Sequence, residues 1–366
     1  MALSITLAIL GLICVVATLL PLSRHEAWWI RVLDFPRMQI CVVSVAVLAA
    51  LAVHDGSDRA ALVLAAALLA CIAYQLAVIL PYTPIWRAEI QASPAPPGDR
   101  SLSLLIVNVL MSNREVGKLT ALVREHRPDV VLAVETDDWW HEQLEPLERD
   151  YGFRLAHPLD NTYGLLLYST LELVEPEVRF LLKPDVPSVR TGLRLRSGEL
   201  VTFYGVHPEP PSPTEADSSA PRDAELVLVA REVAASAGPA LVAGDLNDVA
   251  WSHTSRLFRR ISQLLDPRIG RGMFNTFHAD HWALRWPLDH VFVSSDFLLR
   301  DIRRLPAFGS DHFPILIALD HVPQAVTVND EPEADAEDHA EADRKLEQVG
   351  LDPARCPAPD APQSVS

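Results

Sequence analysis

Three apolar runs in the first hundred residues constrain this chain more than any other feature. Ala2 to Leu22 is 21 residues without a charge, and Ala60 to Leu80 is another such run, closed by Pro81. Between them, Met38 to Val53 is 16 residues whose only polar members are Gln39 and Ser44. A helix rises ~1.5 Å per residue and the hydrocarbon core is ~30 Å thick, so ~20 apolar residues span it. A shorter run spans where the bilayer thins or its flanks contribute. One such run alone would read as a buried helix. Three, followed by a separate polar segment, read as spans at about 2–22, 38–53 and 60–80 within a membrane region covering residues 1–90. The first has no basic stretch before it and no small-residue cleavage motif after it, so an uncleaved anchor is expected. Trp28, Trp29 and Trp86 flank the runs, where amphipathic rings favour the membrane–water interface.

Charge bears on orientation and on partners. Arg24, Arg31 and Arg37 lie between the first two spans and Arg87 and Arg100 follow the third, whereas the opposite side carries only Arg59 and the N-terminal amine. Positive-inside bias therefore favours a cytoplasmic C-terminal domain in a bacterial inner membrane, with the extracytoplasmic face as the alternative. Of the formal net charge of −17, residues 101–320 hold 22 bases and 31 acids. An acidic domain weighs against nucleic acid as the main partner. The four cysteines, Cys14, Cys41, Cys71 and Cys356, lie in the spans and the tail, which excludes a disulfide scaffold.

After a Pro-rich linker at 91–100, the pattern changes. Ser101–Val109, Asp129–Glu135, Tyr163–Ser169, Val189–Leu195, Leu200–His207, Pro239–Ala243, Leu288–Val293 and Phe313–Leu319 read as strands. Arg114–His126 and Arg222–Ser236 have helical spacing, the second amphipathic. A domain over 101–320 with an α/β fold is expected, as two packed sheets or one wide one. Residues 321–366, with 11 acids and three bases, are expected to be disordered.

Polar residues collect where these strands run out, which is where α/β folds gather functional side chains. The strings are VNV around Asn108, AVET with Glu135, GVHP with His207, AGDLND with Asp245 and Asn247, PLDHVF with Asp289, and GSDHFP with Asp311 and His312. Each alone has an ordinary explanation: Asn caps turns, Glu starts helices, Gly-Asp-Leu-Asn is a common turn composition. Six at successive strand ends share one explanation more economically. Carboxylates and amides with two imidazoles suit Mg2+ or Mn2+ and phosphoryl chemistry, whereas structural zinc would want cysteines or closely spaced histidines.

The order Asn, Glu, His, GDLN, LDHV, SDH resembles the endonuclease/exonuclease/phosphatase superfamily, the deoxyribonuclease-I-like fold, and in its first-strand context and anchor the bacterial membrane-bound branch. The resemblance covers roughly Leu102 to Asp320. It implies a four-layer α/β sandwich, two packed sheets flanked by helices. It further implies that Glu135 is the main metal ligand with Asn108 beside it and Asp311 nearby. Asp245 would orient the attacking water and Asn247 the phosphate. His207 would contact phosphate and protonate the leaving oxygen, and His312 would be oriented by Asp289. The chain departs from the family pattern at Leu110, where several family nucleases carry an acid, so a second metal position is not expected. Asn113, nearby, is expected in a turn.

The function expected is a membrane-anchored, divalent-metal-dependent phosphoesterase acting on lipid-linked or small phosphate esters. A nuclease of the same fold and a non-catalytic membrane scaffold are the alternatives.

Overall fold

The computed structural model describes residues 2–54 and 58–356. Helices α1 (Ala2–Leu19), α3 (Arg37–His54) and α4 (Arg59–Ile79) are each long and apolar enough to cross a membrane by length and composition; the short α2 (Trp28–Arg31) lies between the first two. They pack through Leu7, Cys14, Ile40, Val47 and Leu68. Residues such as Val42 and Val63 stay exposed, leaving an apolar outer surface on this group of helices.

The remaining chain forms two sheets packed face to face. One has the order β10-β11-β1-β2-β4-β3 and the other β5-β6-β7-β8-β9. Their strands are β1 (Ser101–Asn108), β2 (Val130–Val134), β3 (Phe153–His157), β4 (Leu165–Ser169), β5 (Glu172–Arg179), β6 (Ser188–Arg194), β7 (Leu200–Gly205), β8 (Ala240–Asp245), β9 (Asp289–Val293), β10 (Phe297–Arg304) and β11 (Ile315–His321). Period-two alternation explains the unbroken apolar run of β1. Leu102, Leu104 and Ile106 face the opposite sheet, and Leu105 and Val107 face helices α5 (Val116–His126) and α6 (Asp138–Leu144). On the far side, α7 (Ala220–Ala235), α8 (His253–Ser262) and α9 (Ala336–Gln348) cover Tyr204, Val242 and Phe292. This is the expected four-layer sandwich. Three strands without a sequence expectation, β3, β5 and β10, are all sheet edges, where one side is solvated and a continuous apolar run is not needed.

Two expectations are corrected. The acidic segment after 320 is not disordered over its described part. It holds α9, capped by a reciprocal Asp335–Asp338 box, with Ala342 and Leu346 buried against the α7 layer. The expectation for 357–366 lies outside the described residues. With α9 laid over it, α7 is buried around most of its circumference and is not simply amphipathic. The linker is docked: Ile90 enters the inter-sheet core, and the Gln91 carbonyl and Ser93 amide bond to Leu299 of β10.

The domain is seated directly on the three apolar helices and the segments that join them. Trp28 N–H donates to the Asp217 carbonyl, Trp251 Nε1 to the Asp34 carbonyl at 2.8 Å, and Tyr82 Oη to the Ala250 carbonyl at 2.6 Å. Between these contacts lies a buried ionic layer. Lys345 meets Asp223 at 2.8 Å and Glu26 at 3.7 Å. Arg222 meets Asp223 at 2.8 Å and Asp248 at 3.4 Å, and donates to the Asn247 carbonyl at 2.8 Å. Arg24 reaches Glu341 of α9 at 2.9 Å.

Candidate active site

Two adjacent strand pairs deliver the polar residues to one end of the sandwich. Asn108 is the last residue of β1 and pairs with Val134, so Glu135 emerges one step beyond. In the other sheet Gly205 of β7 pairs with Ala243 of β8, and Asp245 of β8 pairs with Asp289 of β9. Registry therefore sets His207, Asp245 and Asp289 side by side. The turns that release them are tight. Glu135 has φ 60° and Asn247 φ 51°, a left-handed backbone that is costly for non-glycine residues and concentrated at functional sites. Gly244 has φ 146°, and a Cβ there would lie 1.9 Å from the Val206 carbonyl oxygen, so β8 approaches the His207 strand only through glycine.

Asn108 is the hub. Its Nδ2 donates to Glu135 Oε1 at 2.6 Å and to Asp245 Oδ2 at 3.0 Å, while its Oδ1 accepts from Leu110 N–H at 3.0 Å. That oxygen is committed to the backbone, so Asn108 serves the two carboxylates as a donor and not as the ligand the resemblance implies. The ligand atoms of Glu135, His207 and Asp245 lie within 4.8 Å of one another, as do those of Asp245, Asp289 and His312. His312 Nδ1 is 2.7 Å from Asp289 Oδ2, and its Nε2 is 3.6 Å from Asp245 Oδ2. Asp311 is half-buried at the rim, where its charge adds to that around Glu135.

The electrostatics split the two imidazoles. Burial lowers the His207 pKa to about 4, reinforced by the charge on His312, so His207 is neutral. Its Nδ1 is buried without a partner among the described residues. A neutral ring with an open nitrogen suits ligation, and the leaving-group acid implied for His207 is not supported. Burial alone would lower His312 as well, but Asp289 and Asp245 overcome it and hold its pKa up at about 10. Asp289 is correspondingly lowered: burial would raise it, and the imidazolium reverses the sign. Burial raises Asp245 to about 7, with Asp289 adding to it, and raises Glu135, with Asp311 adding to it; the His312 charge and the Asn108 amide oppose both rises without reversing them. Two crowded carboxylates beside an open imidazole nitrogen fit a hard divalent cation.

Asn247 donates its side-chain amide to the Pro208 carbonyl at 3.0 Å, and its backbone N–H to Asp245 Oδ1 at 2.9 Å. It thus ties the His207 turn to the Asp245 turn. Asn113 lies in a turn, donating to the Val109 carbonyl and accepting from Glu115 N–H. Four further residues have no assigned role in the sequence reading. Thr276 Oγ1 accepts the Leu288 and Asp289 amides, Ser310 Oγ donates to the Asn108 carbonyl, Phe277 packs on the His312 ring at 5.0 Å, and Tyr163 on His207 at 5.6 Å. Ser310 stands within the Gly-Ser-Asp-His string. Thr276 and Phe277 lie in the irregular stretch between α8 and β9, which carries no periodic signal.

The model of the Endonuclease/Exonuclease/phosphatase family matches residues 105–312, more than half of the chain and every strand end that contributes to the site. The chain belongs to this family. Endonuclease/exonuclease/phosphatase proteins include metal-dependent phosphoesterases and nucleases. No curated protein matches the chain significantly in sequence. Among solved structures, D. rerio TDP2 humanized by 14 mutations shares the family fold at TM-score 0.50 and 15% identity, covering 60% of this chain and 99% of that one. The endonuclease/exonuclease/phosphatase protein from Beutenbergia cavernae matches at TM-score 0.48 and 17% identity, over 61% of this chain and 72% of its own. The human Nocturnin catalytic domain with bound sulfate matches at TM-score 0.49 and 15% identity, over 60% and 94%. The three long apolar helices and α9 lie outside the residues that the family model matches.

Proposed function

We propose that this protein is a membrane-seated, divalent-metal-dependent phosphoric ester hydrolase. The observation that carries the reading is the convergence of Glu135, His207 and Asp245 opposite the Asp289–His312 pair. Glu135, His207 and Asp245 would hold Mg2+ or Mn2+. When bound, the ion supplies positive charge to a phosphoryl oxygen and to the water near it. Asp245, beside the ion, would orient that water and accept its proton. Asp289 holds His312 as an imidazolium, a preorganised donor for charge that develops on the phosphoryl group or leaving oxygen. Asn108 keeps the two carboxylates apart, and Asn247 fixes the turns that carry His207 and Asp245. Asp311, at the mouth, adds to the field seen by the cation.

Phosphate esters that are small or lipid-linked are preferred over nucleic acid. The domain is acidic and held at a bilayer, and nucleic-acid binding rests on clustered basic residues. The deciding assay uses the full chain in detergent with Mg2+, Mn2+ or chelator, against oligonucleotides, phosphoinositides and polyprenyl phosphates in parallel. Metal-dependent turnover of a lipid-linked ester is expected. Turnover of oligonucleotides alone would make it a nuclease, and no turnover of any ester a scaffold. The five-to-one arginine bias supports a cytoplasmic site. Reporter fusions after Cys356, beyond α9, should fluoresce with a fluorescent protein and stay silent with alkaline phosphatase; the converse pattern would place the site outside.

A further inference from the structure

A second opening lies where the domain meets the membrane. It is a groove of about 600 Å³ between the start of α3 and the loop that precedes β9. That volume is in the range of small-molecule sites. One wall is Met38, Val42 and Val43, which belong to the lipid-facing surface of a membrane span; Val42 is 67% exposed. The facing wall is Trp282 and Trp286. Gln39 Nε2 donates to the Ala283 carbonyl at 2.7 Å, and Phe35 packs edge-on against Trp286 at 5.6 Å, so the two walls are stapled together. The lining residues of α3 fall within six positions of its first residue, or ~9 Å of helix, which places the groove at the edge of one leaflet.

The inner end is cationic. Arg285 and Arg304 flank the Phe313 ring at 4.9 and 4.3 Å. Neither meets a carboxylate within ion-pair distance among the described residues, although most arginines of this acidic chain do. Burial and the neighbouring Arg285 both press against the Arg304 charge, a penalty that an anion would relieve. Asn275 Oδ1 and Trp286 Nε1, both on lining residues, are buried polar atoms without partners among the described residues. This end adjoins the active site. Phe313 follows His312 in sequence, Phe277 packs on both His312 and Trp286, and Thr276 holds the Asp289 amide.

We propose that this groove binds a single phosphate-bearing lipid drawn sideways from the leaflet, its tail between α3 and the two tryptophans and its anionic headgroup against Arg285 and Arg304. One wall in the acyl region and a paired cationic end match that amphiphile, and a soluble phosphate would use the second feature without the first. The groove deepens the hydrolase reading by naming the substrate class, and rests on that reading for turnover but not for binding.

The test uses the full chain in nanodiscs, with Glu135→Gln to block turnover, and phosphatidic acid carrying a photoactivatable group on its acyl chain. Labelling is expected within 38–43 or 282–286, reduced at least tenfold by excess unlabelled phosphatidic acid and unaffected by diacylglycerol or inorganic phosphate. Val42→Trp, which fills the groove, and the pair Arg285→Gln with Arg304→Gln should each reduce it at least fivefold. Val45→Trp, also exposed on α3 but outside the groove, should leave it unchanged. Uniform labelling along the spans, or labelling indifferent to both groove variants, would overturn the proposal. Metal-dependent turnover of a soluble ester together with uniform labelling would reject the groove and keep the hydrolase. Specific labelling of Glu135→Gln with no turnover of any ester by the parent chain would keep the groove and reject the hydrolase.

Discussion

The protein buries two clusters of charge, and they are built on opposite principles. In the layer between the domain and the apolar helices, every carboxylate has a cation. Burial would raise the Asp223 pKa, but Lys345 and Arg222 reverse this and hold it well below the usual carboxylate range, whereas burial still raises Glu26 and Asp248 at the edges of the layer despite Lys345 and Arg222 beside them. At the strand ends, carboxylates outnumber cations, and Asp245 and Glu135 are raised. The first cluster satisfies itself and the second is short of positive charge. Buried charge is expensive unless paired. The layer therefore reads as structure, and the strand-end cluster as a site that something else completes.

The sharpest way to break this contrast is Glu135→Gln. Removing a negative charge from the deficient cluster should reduce metal-dependent turnover by about a thousandfold or more while leaving the thermal midpoint unchanged or raised. Wild-type-like activity at limiting Mg2+ would sink the ligand assignment. Asp223→Asn should do the reverse. It removes the closest ion-pair partner of both Lys345 and Arg222, leaving them only Glu26 and Asp248, and should cost about 3–5 kcal/mol in denaturant unfolding of the detergent-solubilised chain. A loss below about 1 kcal/mol would show that the layer is not the self-satisfied cluster described.

How much of this contrast is legible in the sequence depends on where each residue stands. Glu135 and Asp245 end, and His312 precedes, apolar strands buried on both faces, whose runs are hard to mistake, and a polar residue at their ends is conspicuous. The spans are legible for the same reason. The ionic layer is not, because its members come from distant parts of the chain: Glu26, Asp223, Asp248 and Lys345 share no string. Helix α9 escapes because it offers only Ala342 and Leu346 to the core, and its remaining buried residues, among them Glu341 and Lys345, are charged and read as solvated until their partners are known. Strand β5 hides behind Pro176 and four charged residues, tolerable only at an edge. The roles of Asn108 and Asn247 depend on which atoms face which neighbours, and no spacing encodes that.

The two histidines sharpen the comparison inside the deficient cluster. His312→Ala should lower kcat by about a hundredfold with little change in the Mg2+ concentration for half-maximal activity, because it removes a transition-state donor. His207→Ala should instead raise that Mg2+ concentration, by about tenfold or more, because a neutral ring contributes through the cation. Equal metal dependence in both variants would erase the distinction between them.

The smallest effect lies beside the ionic layer, at Glu225. This buried acid, with Arg179 as its nearest opposing charge, is pushed up to about 8. Its folded pKa exceeds its unfolded value of 4.5, so its contribution to stability is full below about 4.5 and is lost as pH rises through 8. The thermal midpoint of the wild type should fall by several degrees between pH 6 and pH 9, and Glu225→Gln should flatten that fall. A parallel fall in both chains would assign it to other groups.

The seating of the domain by α9 also sets an order of events in time. Glu26 and Arg24 leave the ribosome early, beside the first span, whereas Lys345 and Glu341 follow on the order of 300 residues later. At ~5–20 residues per second that interval is tens of seconds. Strand β1 waits about two-thirds as long for β11. On the membrane-spanning reading, the three helices can be inserted while the domain beside them still lacks the segment that latches it down. Nascent chains arrested before residue 336 should resist extraction from the membrane yet be cut readily by protease within the domain. Release of the finished polypeptide, and not insertion, would then be the moment at which the domain takes up its seat on the helices.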